Sequence, residues 1–193
     1  MNEIAERYDA MMMSAYVRGM LKGTEPLFTA PLQALTGEDH ARLLDMARAE
    51  GLKTHYFKNH ETLPRVKLAL GFLRGIRPES LLDVGSGRGV FLFPFLRAFP
   101  GVPVTSLDIL DRRVELLTAV SEGGVENLTA VKASICDWDA PDGAFDVITL
   151  LEVLEHIHLL TKPVLTELFS NAGVTNLKFD GVPGHLFLAV FVK

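Results

Sequence analysis

One cysteine in 193 residues, Cys136, has no second thiol to pair with, which excludes an intrachain disulfide and suits a reducing compartment. With no base partner specified by the sequence, Cys136 reads as a small apolar residue rather than a nucleophile. No apolar run reaches the ~18 residues that a membrane span needs. Glu3, Glu6 and Asp9 do not read as the positively charged opening of a secretory leader, so the expected location is the cytoplasm. Surplus positive charge is missing too: 19 Lys and Arg stand against 24 Asp and Glu, a net charge of −5. The deficit is uneven. Residues 1–78 carry 11 basic and 9 acidic residues, a balance of +2, whereas residues 79–193 carry 8 and 15, a balance of −7. An acidic C-terminal part offers no footprint for a phosphate backbone, so nucleic acid is not the expected partner. Internal repeats and low-complexity tracts are absent as well. What remains, with 48% apolar residues, is enough for one domain with a sizeable core and a small appendage.

The chemistry concentrates in Leu81-Leu82-Asp83-Val84-Gly85-Ser86-Gly87-Arg88-Gly89, a short buried strand running into a glycine turn, with a helix expected over Val90–Phe99. Glycine lets backbone N–H groups come close to a ligand because no Cβ intervenes and positive φ is tolerated. A ligand at such a turn sits at the carboxyl end of the strand, the usual place in open α/β sheets. Missing residues narrow the choice. The dinucleotide frame G-x-G-x-x-G would end on Val90, and no Lys-Ser/Thr pair follows to make a P-loop. The pattern is G-x-G-x-G with Asp83 two residues ahead of it. A second strand, Val102–Asp108, ends in an acid 23 residues after Gly85. A carboxylate at that strand tip accepts hydrogen bonds from ribose hydroxyls, or else caps the helix expected over Asp111–Val120. A third strand reads from Leu128 to Ala133 and a fourth from Asp146 to Leu151.

In this order, over residues 80–157, these segments resemble the class I S-adenosylmethionine-dependent methyltransferases. The fourth strand with Glu152-Val153-Leu154-Glu155-His156-Ile157 resembles the small-molecule members of the ubiquinone and menaquinone biosynthesis type. The resemblance implies an α/β fold: a Rossmann-like, mostly parallel sheet with antiparallel C-terminal strands, preceded by an N-terminal helical segment. It implies S-adenosylmethionine as cofactor, S-adenosylhomocysteine as product, and methyl transfer to an O, N or C atom of a small molecule. Carried over residue by residue, Gly85, Ser86, Gly87 and Gly89 pass under the methionine part, Asp83 helps hold its amino group, and Asp108 with Ile109 meets the ribose and its surroundings. Ser134 stands where the family usually places an acid for the adenine amino group, and Asp137 is a substitute for it. Ile135 is an apolar wall for the ring, and Trp138 reads as either ring cover or core. Leu151 ends the strand that faces the transferring methyl. Beyond it, His156 is the first candidate for a general base and Glu152 the second, with His158 third.

After the fourth strand the family pattern breaks. A class I methyltransferase continues with a helix, a fifth parallel strand, another helix and a closing antiparallel pair. Here one helical stretch, Thr161–Ala172, and two strand-like runs, Val174–Asp180 and His185–Val192, are all that follow. A parallel crossover alone needs a dozen or more residues. Glu155-His156-Ile157 fits both the end of the fourth strand and the segment after the fifth, so an internal segment near residues 152–158 is expected to be missing. The other reading is a minimal variant with one long helix from Val153 to Ala172. If the segment is deleted, the fourth strand must pair with a terminal strand.

Residues 1–78 read as the helical segment and residues 79–193 as the cofactor domain. Helices are expected over Asn2–Leu21, from an N-cap at Thr36 with Asp39 at the third position to Ala49, and from Thr62-Leu63-Pro64 to Arg74. Such a segment serves as a substrate lid, a homodimer arm or packing for the sheet. Met11, Met12 and Met13 read as core first and as an adaptable apolar pocket second. His55-Tyr56-Phe57-Lys58-Asn59-His60 is either a loop that closes over the ligand or a solvated one.

Two further readings stay open. Glu152-x-x-Glu155-His156 also resembles the metal-binding signature of small-RNA 2′-O-methyltransferases, which need a further histidine well downstream; only His158 and His185 are available, and no metal site is expected. The shortened sheet also admits a protein that binds the cofactor without catalysis.

Overall fold

The computed structural model describes residues 3–55, 57, 61–135, 137–139, 143–151, 153, 176–182 and 185–191. Six strands form one sheet in the order β3-β2-β1-β4-β6-β5. The first four, β1 (Leu81–Val84), β2 (Val104–Asp108), β3 (Leu128–Lys132) and β4 (Val147–Leu151), are parallel. The last two, β5 (Asn176–Val182) and β6 (His185–Phe191), form an antiparallel pair at the β4 edge. The expected α/β architecture is therefore present.

β4 pairs directly with β6, antiparallel, with Val147 opposite Phe191 and Leu151 opposite Phe187. β6 thus occupies the edge of β4 at which the resemblance led us to expect a fifth parallel strand. Residues 152 and 154–175, which contain that junction and the helix expected over Thr161–Ala172, lie outside the described residues.

The central strand β1 is buried along its whole length, as expected of a strand flanked by parallel neighbours. Its start is clamped to that of β4: Asp146 Oδ2 accepts the Glu79 N–H at 2.8 Å, and Ser80 Oγ accepts the Asp146 N–H at 2.9 Å. Helix α5 (Leu92–Ala98) connects β1 to β2 and begins two residues later than its apolar run suggests, because Val90 and Phe91 are still part of the turn. Helix α6 (Asp111–Glu122) connects β2 to β3 and covers both.

The N-terminal segment is helical as expected. It comprises α1 (Glu3–Leu21), the short α2 (Pro26–Thr29), a 3-10 turn at Leu32–Ala34, α3 (Gly37–Ala49) and α4 (Pro64–Ile76). Thr36 and Asp39 form a reciprocal capping box at the start of α3, and Pro64 opens α4 where its absent N–H costs nothing. On α4, Val66, Leu70 and Leu73 are buried, whereas Leu68 falls off that face and is 42% exposed.

This segment packs on the sheet's own helices without a layer of side chains between. α1 crosses α6 so closely that a Cβ on Gly19 would lie 1.9 Å from the Ala119 carbonyl oxygen, and one on Gly123 would lie 1.7 Å from that of Ala15. Met12, Ala15, Tyr16 and Val17 of α1 belong to the same buried core as Leu116, Leu117 and Val120 of α6. Phe57 is held between Tyr16 and Phe93, with ring centroids 5.3 Å from each, so this part of the 55–60 loop is anchored in the core. Tyr56 and residues 58–60 lie outside the described residues. Among the described residues no helix is long and apolar enough to cross a membrane.

The crossing yields a test with a diagnostic sign. Gly→Ala inside a helix ordinarily stabilises by about 1 kcal/mol. Gly71→Ala in α4, where a Cβ meets nothing within 4 Å, is expected to do so. Gly19→Ala is expected instead to destabilise by about 1–3 kcal/mol through overpacking, read by urea denaturation. Equal stabilisation by both changes would refute the backbone contact.

Candidate functional site

The glycine turn sits at the carboxyl end of β1, where the strand order reverses between β2 and β4. Gly85, Gly87 and Gly89 take φ of +69°, +58° and +76°. A Cβ on Gly85 would strike Val153 Cγ2 at 2.3 Å, and one on Gly89 would strike the Phe93 ring at 2.5 Å. Gly87 differs. Its Cβ would meet only the Gly85 carbonyl oxygen, at 3.8 Å, so its α-carbon looks onto open space. That space is a cavity of about 340 Å³ whose walls include Asp83, Gly85, Ser86, Gly87 and Leu151. Five of the residues expected to bind a cofactor are thus brought to one place.

Asp83 is the group that needs explaining. It lies in the middle of the sheet at 1% exposure, opposite Ser106 on β2 and Thr149 on β4. Thr149 donates its hydroxyl hydrogen to Asp83 Oδ1 at 2.7 Å. Oδ2 is buried with no hydrogen-bond partner. Burial pushes the carboxyl pKa up to about 6, against the pull of hydrogen bonds from Ser86 and Thr149, and the nearby Asp108 charge pushes it further. Ser106 donates to Ser86 Oγ at 2.7 Å, and Ser86 donates in turn to the Asp83 main-chain carbonyl at 3.0 Å, so the turn is tied to two strands.

Asp108, at the tip of β2, is 8% exposed. Its Oδ2 accepts the Gly87 N–H at 3.1 Å and its Oδ1 accepts the Leu110 N–H at 2.9 Å. The same carboxylate therefore braces the glycine turn and the entry to α6, and it is not itself among the residues of the cavity wall. Ile109 follows it at 65% exposure. Ser134 and Ile135 are half-buried in the loop after β3; the Ser134 carbonyl accepts the N–H groups of Asp137 and Trp138. That loop starts beside β2, because the Ala133 N–H donates to the Asp108 carbonyl at 3.2 Å. Trp138 packs against Phe145, with centroids 6.0 Å apart. Glu152, His156, His158 and Cys136 lie outside the described residues.

Sequence reasoning missed five contributors. Thr149 and Ser106 face Asp83 only through strand register, which no local pattern reports. Arg65 from α4 and Arg113 from α6 reach the cavity wall by tertiary packing. Arg88, also in the wall, was in plain view as the residue between Gly87 and Gly89.

The residues present fit a cofactor carrying an ammonium group. A cation beside Asp83 would satisfy the unpartnered Oδ2 and hold the carboxylate ionised, and the space before Gly87 admits a ligand against the backbone. Among the described residues no cluster of three or more His, Cys, Asp or Glu could hold a metal.

The raised pKa has a stability consequence with a definite sign. Asp83 keeps its proton to higher pH in the folded chain than in the unfolded one, where its value is 3.8. Its contribution is therefore fully favourable below about pH 4 and is lost as pH rises to about 6. The loss is roughly 3 kcal/mol at 1.36 kcal/mol per unit. Asp83→Asn removes this pH dependence, so the variant's stability relative to the parent is expected to rise across that window in urea melts. A difference that stays flat with pH would show that the carboxyl titrates normally.

A family model described as a methyltransferase domain matches residues 33–177. The ribosomal RNA small subunit methyltransferase G of Lactococcus lactis subsp. lactis is 31% identical over 106 residues, covering 53% of this chain and 44% of that protein. The protein of the same name from Streptococcus pyogenes serotype M5 is 36% identical over 101 residues, covering 49% and 42%. The chain thus spans under half the length of either relative. Among solved structures, an O-methyltransferase family protein from Burkholderia thailandensis superposes with a TM-score of 0.46 at 13% identity, covering 80% of this chain and 60% of that one. With the family model spanning most of the chain, the glycine turn following Asp83, and the sheet order around them, the chain belongs to the methyltransferase-domain family of S-adenosylmethionine-dependent methyltransferases.

Proposed function

We propose that this chain binds S-adenosylmethionine in the cavity beneath the glycine turn and passes its methyl group to an O, N or C atom of a small molecule. The observation that carries this reading is Asp83, a buried carboxylate with one oxygen partnered and the other left over. In it, Asp83 holds the cofactor's amino group. Gly85, Ser86, Gly87 and Gly89 let the chain run close under the methionine part. Asp108 has lone pairs beyond the two that accept backbone N–H groups, and these meet ribose hydroxyls. Ile109, exposed beside it, and Ser134 with Ile135 border the adenine end. A guanidinium among Arg65, Arg88 and Arg113 suits the cofactor's carboxylate.

When bound, the cofactor supplies an electrophilic methyl carbon on a sulfonium. The protein's part is to orient the acceptor and keep water out. Leu151 at the β4 tip supplies an apolar wall for that purpose. His156, or Glu152, takes a proton from an acceptor that must lose one. Support for a small acceptor comes from the net charge of −5, which does not favour a phosphate backbone. The α4 residues Arg65 and Val66 complete the wall, so the N-terminal segment encloses ligand as well as packing on the sheet.

A second reading, an RNA acceptor, is favoured by the relatives named for ribosomal RNA. The deciding experiment measures S-adenosylhomocysteine binding by calorimetry, then label transfer from methyl-labelled S-adenosylmethionine to small-molecule extract and to ribosomal RNA, each with chelator. Label in the small-molecule fraction alone is expected. Label in RNA would replace the small acceptor, and binding with no transfer to either would leave a cofactor-binding protein without catalysis.

Asp108→Ala is expected to weaken S-adenosylhomocysteine binding at least ~5-fold, about 1 kcal/mol, because it removes a charge-assisted acceptor and a brace of the turn. Unchanged affinity in calorimetry would refute its role.

A further inference from the structure

The largest described cavity on the far side of the domain has no part in this chemistry. It measures about 600 Å³ and lies among α1, the α2 loop and the segments that precede β2 and β3. Those segments, Pro100-Gly101 and Val125 to Asn127, enter the amino ends of the parallel strands, whereas the cofactor cavity is at their carboxyl ends. Its wall is mixed: Met11, Met12, Phe28, Leu32 and Leu96 supply an apolar part, and Arg18, Gln33, Glu122, Glu126 and Asn127 a polar one. Tyr8, Met11, Leu32 and Gln33 also line an adjoining cavity of about 250 Å³, which extends the space along α1.

Set in this wall is Arg18, at 6% exposure. Its Nε donates to the Phe28 carbonyl at 2.7 Å, and its Nη2 donates to the same carbonyl and to that of Ala30 at 2.7 Å. Nη1 is buried with no partner at all. It lies 3.9 Å from the position a Cβ on Gly124 would take, and Gly124 is itself a wall residue. Among the described residues no carboxylate pairs with this guanidinium; both of its acceptors are neutral carbonyls. A buried cation without a counter-ion is costly, and an unsatisfied N–H on it adds to the cost. An anion beside Nη1 would remove both penalties. Glu122, which pairs with Lys22 at 3.1 Å, and Glu126 also belong to the wall. Their charges oppose a polyanion, so a single carboxylate is favoured over a polyphosphate or a nucleic-acid backbone. The apolar part of the wall, with Met11 and Met12, takes the rest of the molecule, since Met adapts to irregular apolar shapes.

We propose that this cavity is a second ligand site, for a small amphiphilic carboxylate whose head neutralises Arg18 and whose apolar body lies against Met11, Met12 and Leu32. The site is independent of the cofactor cleft and of what the acceptor is.

Calorimetry of the full chain with octanoate, and with octan-1-ol as an uncharged control, tests it in the presence of saturating S-adenosylhomocysteine. Octanoate is expected to bind at one site at least tenfold more tightly than octan-1-ol. Arg18→Met is expected to bring octanoate down to the alcohol's affinity while leaving the alcohol unchanged. Because Arg18 also tethers the α2 loop, a second variant, Met11→Trp, fills the cavity and keeps the guanidinium; it is expected to weaken both probes at least tenfold with S-adenosylhomocysteine binding unaltered. Equal affinity for acid and alcohol, or octanoate binding that survives Met11→Trp, would overturn the proposal, as would octanoate and S-adenosylhomocysteine displacing each other.

Discussion

Holding the Asp83 carboxylate in the middle of the central strand costs the fold roughly 3 kcal/mol at neutral pH, and that cost dictates what surrounds it. The residues opposite it on both neighbouring strands are hydroxyl-bearing: Ser106 on β2 and Thr149 on β4. Thr149 answers one carboxylate oxygen directly. Ser106 acts through Ser86, which holds the Asp83 main chain and so fixes the start of the turn. A well-packed apolar residue at this position would give a more stable sheet. A charge retained there against stability, with one oxygen left unpartnered, is what leads us to propose Asp83 as a ligand-holding group.

The contrast with Asp108 sharpens the point. Both acids stand at the carboxyl end of adjacent parallel strands, but both Asp108 oxygens accept backbone N–H groups, from Gly87 and Leu110. Asp108 is thus satisfied within the protein and stabilises the turn before any ligand arrives. Asp83 is not. The turn is held in shape by one acid and is left with an unmet electrostatic demand by the other, which is how a site can be preorganised and still favour a cationic ligand.

Much of this could be read from the sequence because it is local. Asp83, the G-x-G-x-G turn and the acid 23 residues beyond Gly85 are set by spacing along the chain, and the Thr36–Asp39 capping box by a three-residue interval. The strands were legible from short apolar runs between turn residues. What escaped depends on partners distant in sequence. Thr149 meets Asp83 only because β1 and β4 pair in one particular register. Arg65 and Arg113 reach the cavity through the way α4 and α6 lie on the sheet. Phe57, in a loop that read as either a cover for the ligand or a solvated stretch, packs against the core between Tyr16 and Phe93. The direct β4–β6 pairing could be expected only on the condition that a segment is deleted, since β-hairpin residues alone do not say which edge they will join.

The close crossing of α1 on α6 bears on how the N-terminal segment can serve the site. With Gly19 and Gly123 against opposing backbone carbonyls, α1 cannot slide or lift without opening the core that both helices share. α6 in turn runs from the cofactor cavity, where Arg113 forms part of the wall, to the rear cavity, where Glu122 does. α1 is therefore a fixed brace on an element that connects the two cavities. α4 is placed differently. It follows the 50–63 connection, packs on α5, and presents Arg65 and Val66 from its first turn to the cofactor cavity. Of the N-terminal helices, α4 is thus the one that borders this cavity, whereas α1 is tied to α6.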